Sequence, residues 1–158
     1  MCEAFSSRRS RGLQRGMNLR AVTARSYVLI PFLLALIPRL LYLASIPQAA
    51  IIENVDAQGY DRLARNLLAG HGFSLQAAPP YLPDGLRTPL YPLLIAAVYG
   101  VFGAHPVVVA LAQALLDSLT ALLVGATGAR VLGRRAGLVA AVGYALTPLQ
   151  WRYSATLL

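Results

Sequence analysis

An all-α, multi-pass transmembrane fold is what this sequence predicts, with an extracytoplasmic loop carrying amphipathic juxtamembrane helices. Three observations predict it. Hydrophobic residues make up 57% of the 158-residue chain and charged residues only 13%, about half the charged share of an ordinary soluble domain. Apolar stretches of about 20 residues recur, the length a helix needs to cross the roughly 30 Å hydrocarbon core of a bilayer. The 14 basic residues are all arginine, and most crowd at 8–25 and 130–135 beside apolar segments, the pattern of cytoplasmic flanks.

The same distribution excludes other classes. A net charge of +8 suits nucleic acid only where basic residues form a stripe interleaved with aromatics, and no such stripe exists, so no nucleic-acid partner is expected. The single cysteine, Cys2, rules out an internal disulfide.

In chain order, residues 1–26 are Ser- and Arg-rich without apolar periodicity and are expected to form a disordered basic cytoplasmic tail; Met17 is an equally acceptable start. Residues 27–46 supply about 20 apolar residues, enough for a first span. A cleaved signal peptide is the rival reading, but apolar character resumes after Arg39 and no small-x-small cleavage site follows. About 13 residues into this helix, Arg39 is expected near the outer face, either snorkelling to headgroups or aimed at a lipid phosphate or a loop acid.

Residues 47–106 form the expected outer loop, which holds Glu53, Asp56, Asp61 and Asp84, four of the six acids in the chain. Asp56 is placed to cap a helix from Ala57 to about Ala69. Tyr60, Leu63, Ala64, Leu67 and Leu68 make one apolar stripe, with Asp61 and Arg65 spaced to pair on the other face. Too short to span, this helix is expected to lie on the membrane surface. A Pro-rich irregular loop follows. Thr88 and Pro89 then open an apolar helix to about Phe102, at about 21 Å too short for a span and expected to be buried or re-entrant.

Residues 107–128 give the second span, closed by Arg130, Arg134 and Arg135. Gln113 and Asp117 lie one turn apart inside it, as an intramembrane functional site or as interhelical hydrogen-bonding groups. Residues 137–158 are expected to return outward, kinked at Pro148, with Trp151 and Tyr153 at the interface. The absence of a polar flank after this span leads to the expectation that the chain is a fragment of a longer membrane protein.

No Walker loop, dinucleotide fingerprint, zinc spacing or nucleophile elbow is present, so no cofactor or metal is expected. An acid on an outer-face loop remains, with a surface helix and a downstream arginine. A carboxylate there can act as general base on a hydroxyl acceptor, and an arginine can hold a phosphate by paired hydrogen bonds. The runs DAQGY, LARNLLAGHGFS, RTPLYPLLIA and FG, followed by ALAQALLDSLTALLVG and LGRRAGLVAAVGYALTP, resemble the N-terminal part of GT-C superfamily membrane glycosyltransferases. Within that superfamily the likeness is to the bacterial branch with the aminoarabinose transferases and the protein O-mannosyltransferase-like proteins. The resemblance covers about residues 27–158.

It implies transfer of a sugar from a polyprenyl-phosphate-linked donor to a lipid or protein acceptor, at the extracytoplasmic face of the cell (inner or plasma) membrane. It carries the essential loop aspartate to Asp56 and matches Arg87 and Tyr91 to the family's loop-to-helix segment; with Tyr60 of the DAQGY run and Arg39 of the first span, these are the expected substrate-binding residues. Ala57 stands where relatives often have a second acid, which speaks against a metal or a carboxylate pair. A different class of function also fits the composition: a non-catalytic multi-pass scaffold or transporter subunit, with Arg39 and Asp117 as buried specificity contacts.

Overall fold

The computed structural model describes residues 29–157. The expected tail at 1–26, with its arginines and Cys2, and the first two residues of the expected first span lie outside the described residues. The described chain is helical with no strand. It runs through α1 (Leu29–Ser45), a short 3-10 helix (Gln48–Ile52), α2 (Val55–Leu68), α3 (Leu90–Phe102), α4 (Pro106–Leu132), α5 (Arg134–Ala145) and α6 (Pro148–Ala155).

Among the described helices, α4 is the one long and apolar enough to cross a membrane, with 27 residues and a mean hydropathy of 2.1 over its most apolar stretch. At 1.5 Å per residue it extends about 40 Å, starting one residue before the expected span and ending four residues beyond it. α1 and α3 are shorter apolar helices. After Leu132 the chain reverses at Gly133, whose φ of 90° lies in the region that glycine enters without a Cβ clash. α5 then folds back onto α4 at backbone-to-backbone distance. A Cβ on Gly137 would stand 2.6 Å from Ala129 N and 2.7 Å from Ala129 Cβ, so only glycine permits this approach. Without a hydrophobic force between helices in lipid, close packing of small residues is what holds such a pair.

The expected third span is broken rather than kinked. α5 stops at Ala145 and α6 restarts at Pro148, because a proline lacks the N–H that would bond Tyr144 and its ring collides with that carbonyl. Pro148 instead takes the first helical position of α6, where a missing donor is harmless.

α2 differs from expectation at its start. The cap is Asn54, whose Oδ1 accepts a 2.6 Å hydrogen bond from Ala57 N, and Asp56 lies inside the first turn, where a carboxylate favours the partial positive charge of the helix end. Pro89, not Thr88, occupies the cap position of α3 and makes no side-chain cap bond. Nor is α2 simply laid on a surface. Leu63 and Ala64 are fully buried, while Leu68 remains 49% exposed. Ala57 and Ala64 of α2 share a buried cluster with Ile95, Ala96 and Tyr99 of α3.

Polar contacts fasten the two helices. Tyr99 Oη donates to Asp61 Oδ1 at 2.5 Å, Arg65 Nε to Asp61 Oδ2 at 2.8 Å, as their spacing predicts, and Arg65 Nη2 to Ala104 O at 3.0 Å. Burial, reinforced by the Asp61 carboxylate, pushes the Tyr99 phenol well above its ordinary value of 10, so it remains a donor. The buried Asn66 amide donates to Ser74 O at 2.6 Å and Gln76 O at 2.9 Å, which ties the Pro-rich loop to α2. The cluster that joins α2 and α3 also takes in Leu43, Ile51, Val109, Ala110, Ala155 and Leu157. The ends of α1 and α6, the 3-10 helix and the start of α4 therefore meet at the loop end of the bundle.

Candidate functional site

At the loop end, the first turn of α2 faces the segment that leads into α3. Asp56 Oδ1 stands 3.0 Å from Arg87 Nη2, with the Asp56 side chain 74% exposed and Arg87 only 16%. Three contacts hold the arginine in place. Asp84 Oδ2 accepts a 3.3 Å bond from the Arg87 backbone N–H and lies 3.8 Å from its Nη1. The guanidinium carbon lies 5.6 Å from the centre of the Tyr60 ring, within cation–π range. Beneath it is Gly59, where a Cβ would come within 2.8 Å of Nη2. Arg87 Nε is buried with no hydrogen-bond partner among the described residues. A guanidinium clamped on one side and short of acceptors is suited to an incoming anion.

Tyr60 packs edge-on against Tyr91, ring centres 4.9 Å apart. Tyr91 Oη donates to Gln113 Oε1 at 3.3 Å, and Gln113 Nε2 donates to Thr156 O at 3.2 Å. The aromatic wall of the site thus continues through α4 to the end of α6. Of the five expected site residues, Asp56, Tyr60, Arg87 and Tyr91 converge here.

Arg39 does not join them. It is 0% exposed, with Nε 2.5 Å from Asp117 Oδ2. Nη2 is equally close to that oxygen, as an ion-pair contact outside the angular range of a hydrogen bond. Nη1 donates to Ala35 O at 2.6 Å and Ala145 O at 3.3 Å. Tyr144 Oη donates to Asp117 Oδ1, and its ring lies 5.9 Å from the guanidinium. In place of headgroups or a loop acid, the partner of Arg39 is Asp117, on the membrane-capable helix α4. A charge in an apolar bundle is retained when a counter-charge and hydrogen bonds satisfy it, and here three helices contribute them.

Gln113, expected as an interhelical hydrogen-bonding group, plays that part here. Sequence reasoning assigned no role in the site to two residues that shape it. Asp84, three positions before Arg87, was within its reach as a local ion-pair spacing. Gly59 was not, because its role depends on which elements the fold brings together.

Chemically, the loop end presents an accessible carboxylate beside a positioned guanidinium, with two edge-on tyrosines at their side. That combination can receive a proton and hold an anion within one hydrogen bond of each other. Among the described residues no three His, Cys, Asp or Glu side chains gather in a metal-holding group.

Residues 86–157 match the family model described as dolichyl-phosphate-mannose-protein mannosyltransferase. No curated protein and no solved structure matches the chain. The matched segment contains Arg87 and Tyr91 and begins after Asp56 and Tyr60. That segment, a little under half of the chain, is similar to the dolichyl-phosphate-mannose-protein mannosyltransferases, which supports the likeness to the GT-C membrane glycosyltransferases.

Proposed function

We propose that the loop end is the extracytoplasmic site of a multi-pass membrane glycosyltransferase that takes its sugar from a polyprenyl-phosphate-linked donor. The observation that carries this reading is the Asp56–Arg87 pair, an exposed carboxylate 3.0 Å from a largely buried guanidinium. In the proposed reaction the donor phosphate takes over Arg87, which frees Asp56. An acceptor hydroxyl attacks the anomeric carbon and passes its proton to Asp56. The sugar–phosphate C–O bond breaks, its electron pair leaves with the polyprenyl phosphate, and Arg87 stabilises the released charge. Tyr60 and Tyr91 flank the sugar. The acceptor is a lipid or protein hydroxyl, and the matched family description names a protein. Arg39 is left out of this site because Asp117 and two carbonyls occupy it.

The membrane orientation belongs to the same proposal. Gln113, at the site, and Arg130 are 17 positions apart on α4, about 25 Å along the helix and close to the thickness of the hydrocarbon core. With the arginines of 130–135 on the cytoplasmic side of the plasma membrane, the site faces outward. A cysteine at the exposed Ala78, in a Cys2→Ser background, should react with a membrane-impermeant thiol reagent added to intact cells. Labelling only after the membrane is breached refutes the orientation.

Asp56→Asn tests the chemistry. The α2 cap is Asn54, so the substitution leaves the helix start intact. Membranes carrying the variant protein, supplied with a polyprenyl-phosphate sugar and a hydroxyl acceptor, should show transfer reduced about 10²–10⁴-fold at unchanged protein level. Transfer within a few-fold of the parent would leave Asp56 as a helix-start charge and favour the scaffold reading, in which the buried Arg39–Asp117 contact only specifies helix pairing.

A further inference from the structure

A second cleft opens at the loop end, between the end of α1, the junction of the 3-10 helix with α2, and α6. It encloses about 510 Å³ and is lined in part by Tyr42, Ile46, Glu53, Leu149, Arg152 and Tyr153. That volume falls within the range of sites that hold small ligands. The cleft brings a carboxylate and a guanidinium from segments about 100 positions apart in the chain. Both side chains are exposed, and neither forms an ion pair among the described residues. Opposite charges that share one cavity without closing on each other leave room for a ligand carrying both signs. Two tyrosines line the same cavity, and Ile46 and Leu149 give it an apolar edge. Tyrosines with an apolar body and a polar tip are the side chains of the membrane–water boundary.

The geometry points to a binding site for a zwitterionic phospholipid headgroup bearing a primary ammonium, with its phosphate on Arg152 and its ammonium on Glu53. Phosphate binds guanidinium by charge-assisted hydrogen bonds, and a primary ammonium has three N–H donors for a carboxylate. A quaternary ammonium has none, and a glycerol headgroup has no cation, so each leaves Glu53 without its partner. This site is separate from Asp56 and Arg87, and its test reads lipid retention, so its outcome is independent of the proposed transfer reaction.

The full chain, purified in detergent and stripped of lipid, is titrated by native mass spectrometry with phosphatidylethanolamine, phosphatidylcholine or phosphatidylglycerol of one acyl composition. Free phosphoethanolamine is run in parallel. Phosphatidylethanolamine should be retained at about tenfold lower concentration than the other two lipids, the effect of one charge-assisted hydrogen bond. Arg152→Gln should remove that advantage, Arg152→Lys should keep most of it, and Glu53→Gln should bring phosphatidylglycerol level with phosphatidylethanolamine. Equal retention of the three lipids by the parent protein overturns the proposal whatever the variants do. So does an Arg152→Gln variant of unchanged helical circular dichroism that retains phosphatidylethanolamine as the parent does. Free phosphoethanolamine bound as tightly as the lipid overturns the lipid assignment.

Discussion

Substituting Asp117 by alanine should leave the guanidinium of Arg39 buried with two carbonyls and no counter-charge. Arg39 is 0% exposed and Asp117 18%, so little water is at hand to replace the lost carboxylate. Breaking a buried pair by removing one partner costs about 3–5 kcal/mol, which at about 1.4 kcal/mol per decade lowers the folding equilibrium constant by about two to three and a half orders of magnitude. Tyr144 Oη loses its acceptor at the same time. The protein carries its own reporter, since Trp151, its one tryptophan, donates its indole N–H at 2.9 Å to Ala145 O, the carbonyl that also receives Arg39 Nη1. Equilibrium unfolding in mixed micelles, followed by Trp151 fluorescence, should show the single variant destabilised by this amount. The double variant Arg39→Met/Asp117→Leu should recover most of the loss, because apolar residues of similar volume commonly replace a buried ion pair at no net cost. A loss below about 1 kcal/mol in Asp117→Ala, the range of a solvated surface pair, would refute the reasoning. So would a double variant no more stable than the single one.

Two further outcomes follow from the loop end. Gly59→Ala should stabilise α2 by up to about 1 kcal/mol through helix propensity, yet weaken sugar transfer, because its Cβ would stand 2.8 Å from Arg87 Nη2 and displace the clamp; thermal unfolding and transfer measured on one preparation check both. Folding raises the Tyr99 phenol above its ordinary value of 10, so its contribution to stability is complete below pH 10 and is lost as pH rises through the raised value. The α2–α3 pair should therefore hold in mild alkali, and Tyr99→Phe should remove one of the late tyrosinate steps in an absorbance titration.

Hydropathy and period located the helices well, since α4 and the α2 stripe depend on local pattern alone. The start of α2 was misassigned because Asn54 and Asp56 are comparable caps, and the path of the chain out of the 3-10 helix decides between them. The break between α5 and α6 was visible as Pro148, but proline permits either a kink or a stop, and the tertiary packing of α6 chose the stop. Arg39 shows the plainest limit. Depth counted along one helix placed it near the outer face, whereas its partner lies 78 positions away, and no local pattern encodes a pairing at that separation. Asp56, Tyr60, Arg87 and Tyr91 were named from order and motif, and their convergence required the 31-residue closure between Asp56 and Arg87.

One face of α4 explains how the buried ion pair bears on the loop site without touching it. Gln113 and Asp117 are four positions apart, one above the other on the helix. Gln113 holds Tyr91 on one side and the last turn of α6 on the other, while Asp117 holds α1 through Arg39 and α5 through Tyr144. Apolar helices in lipid lack a hydrophobic preference for one rotation about their axes, and a single polar register contact can supply it. With Arg39 turned onto Asp117, Leu43, one turn further along α1, enters the buried cluster that includes Ala57, one residue beyond Asp56. Rotation of α1 would withdraw that support and the Tyr42 and Ile46 wall of the lipid cleft together. The position of the exposed carboxylate therefore depends on a salt bridge one helical turn below the cluster that supports it.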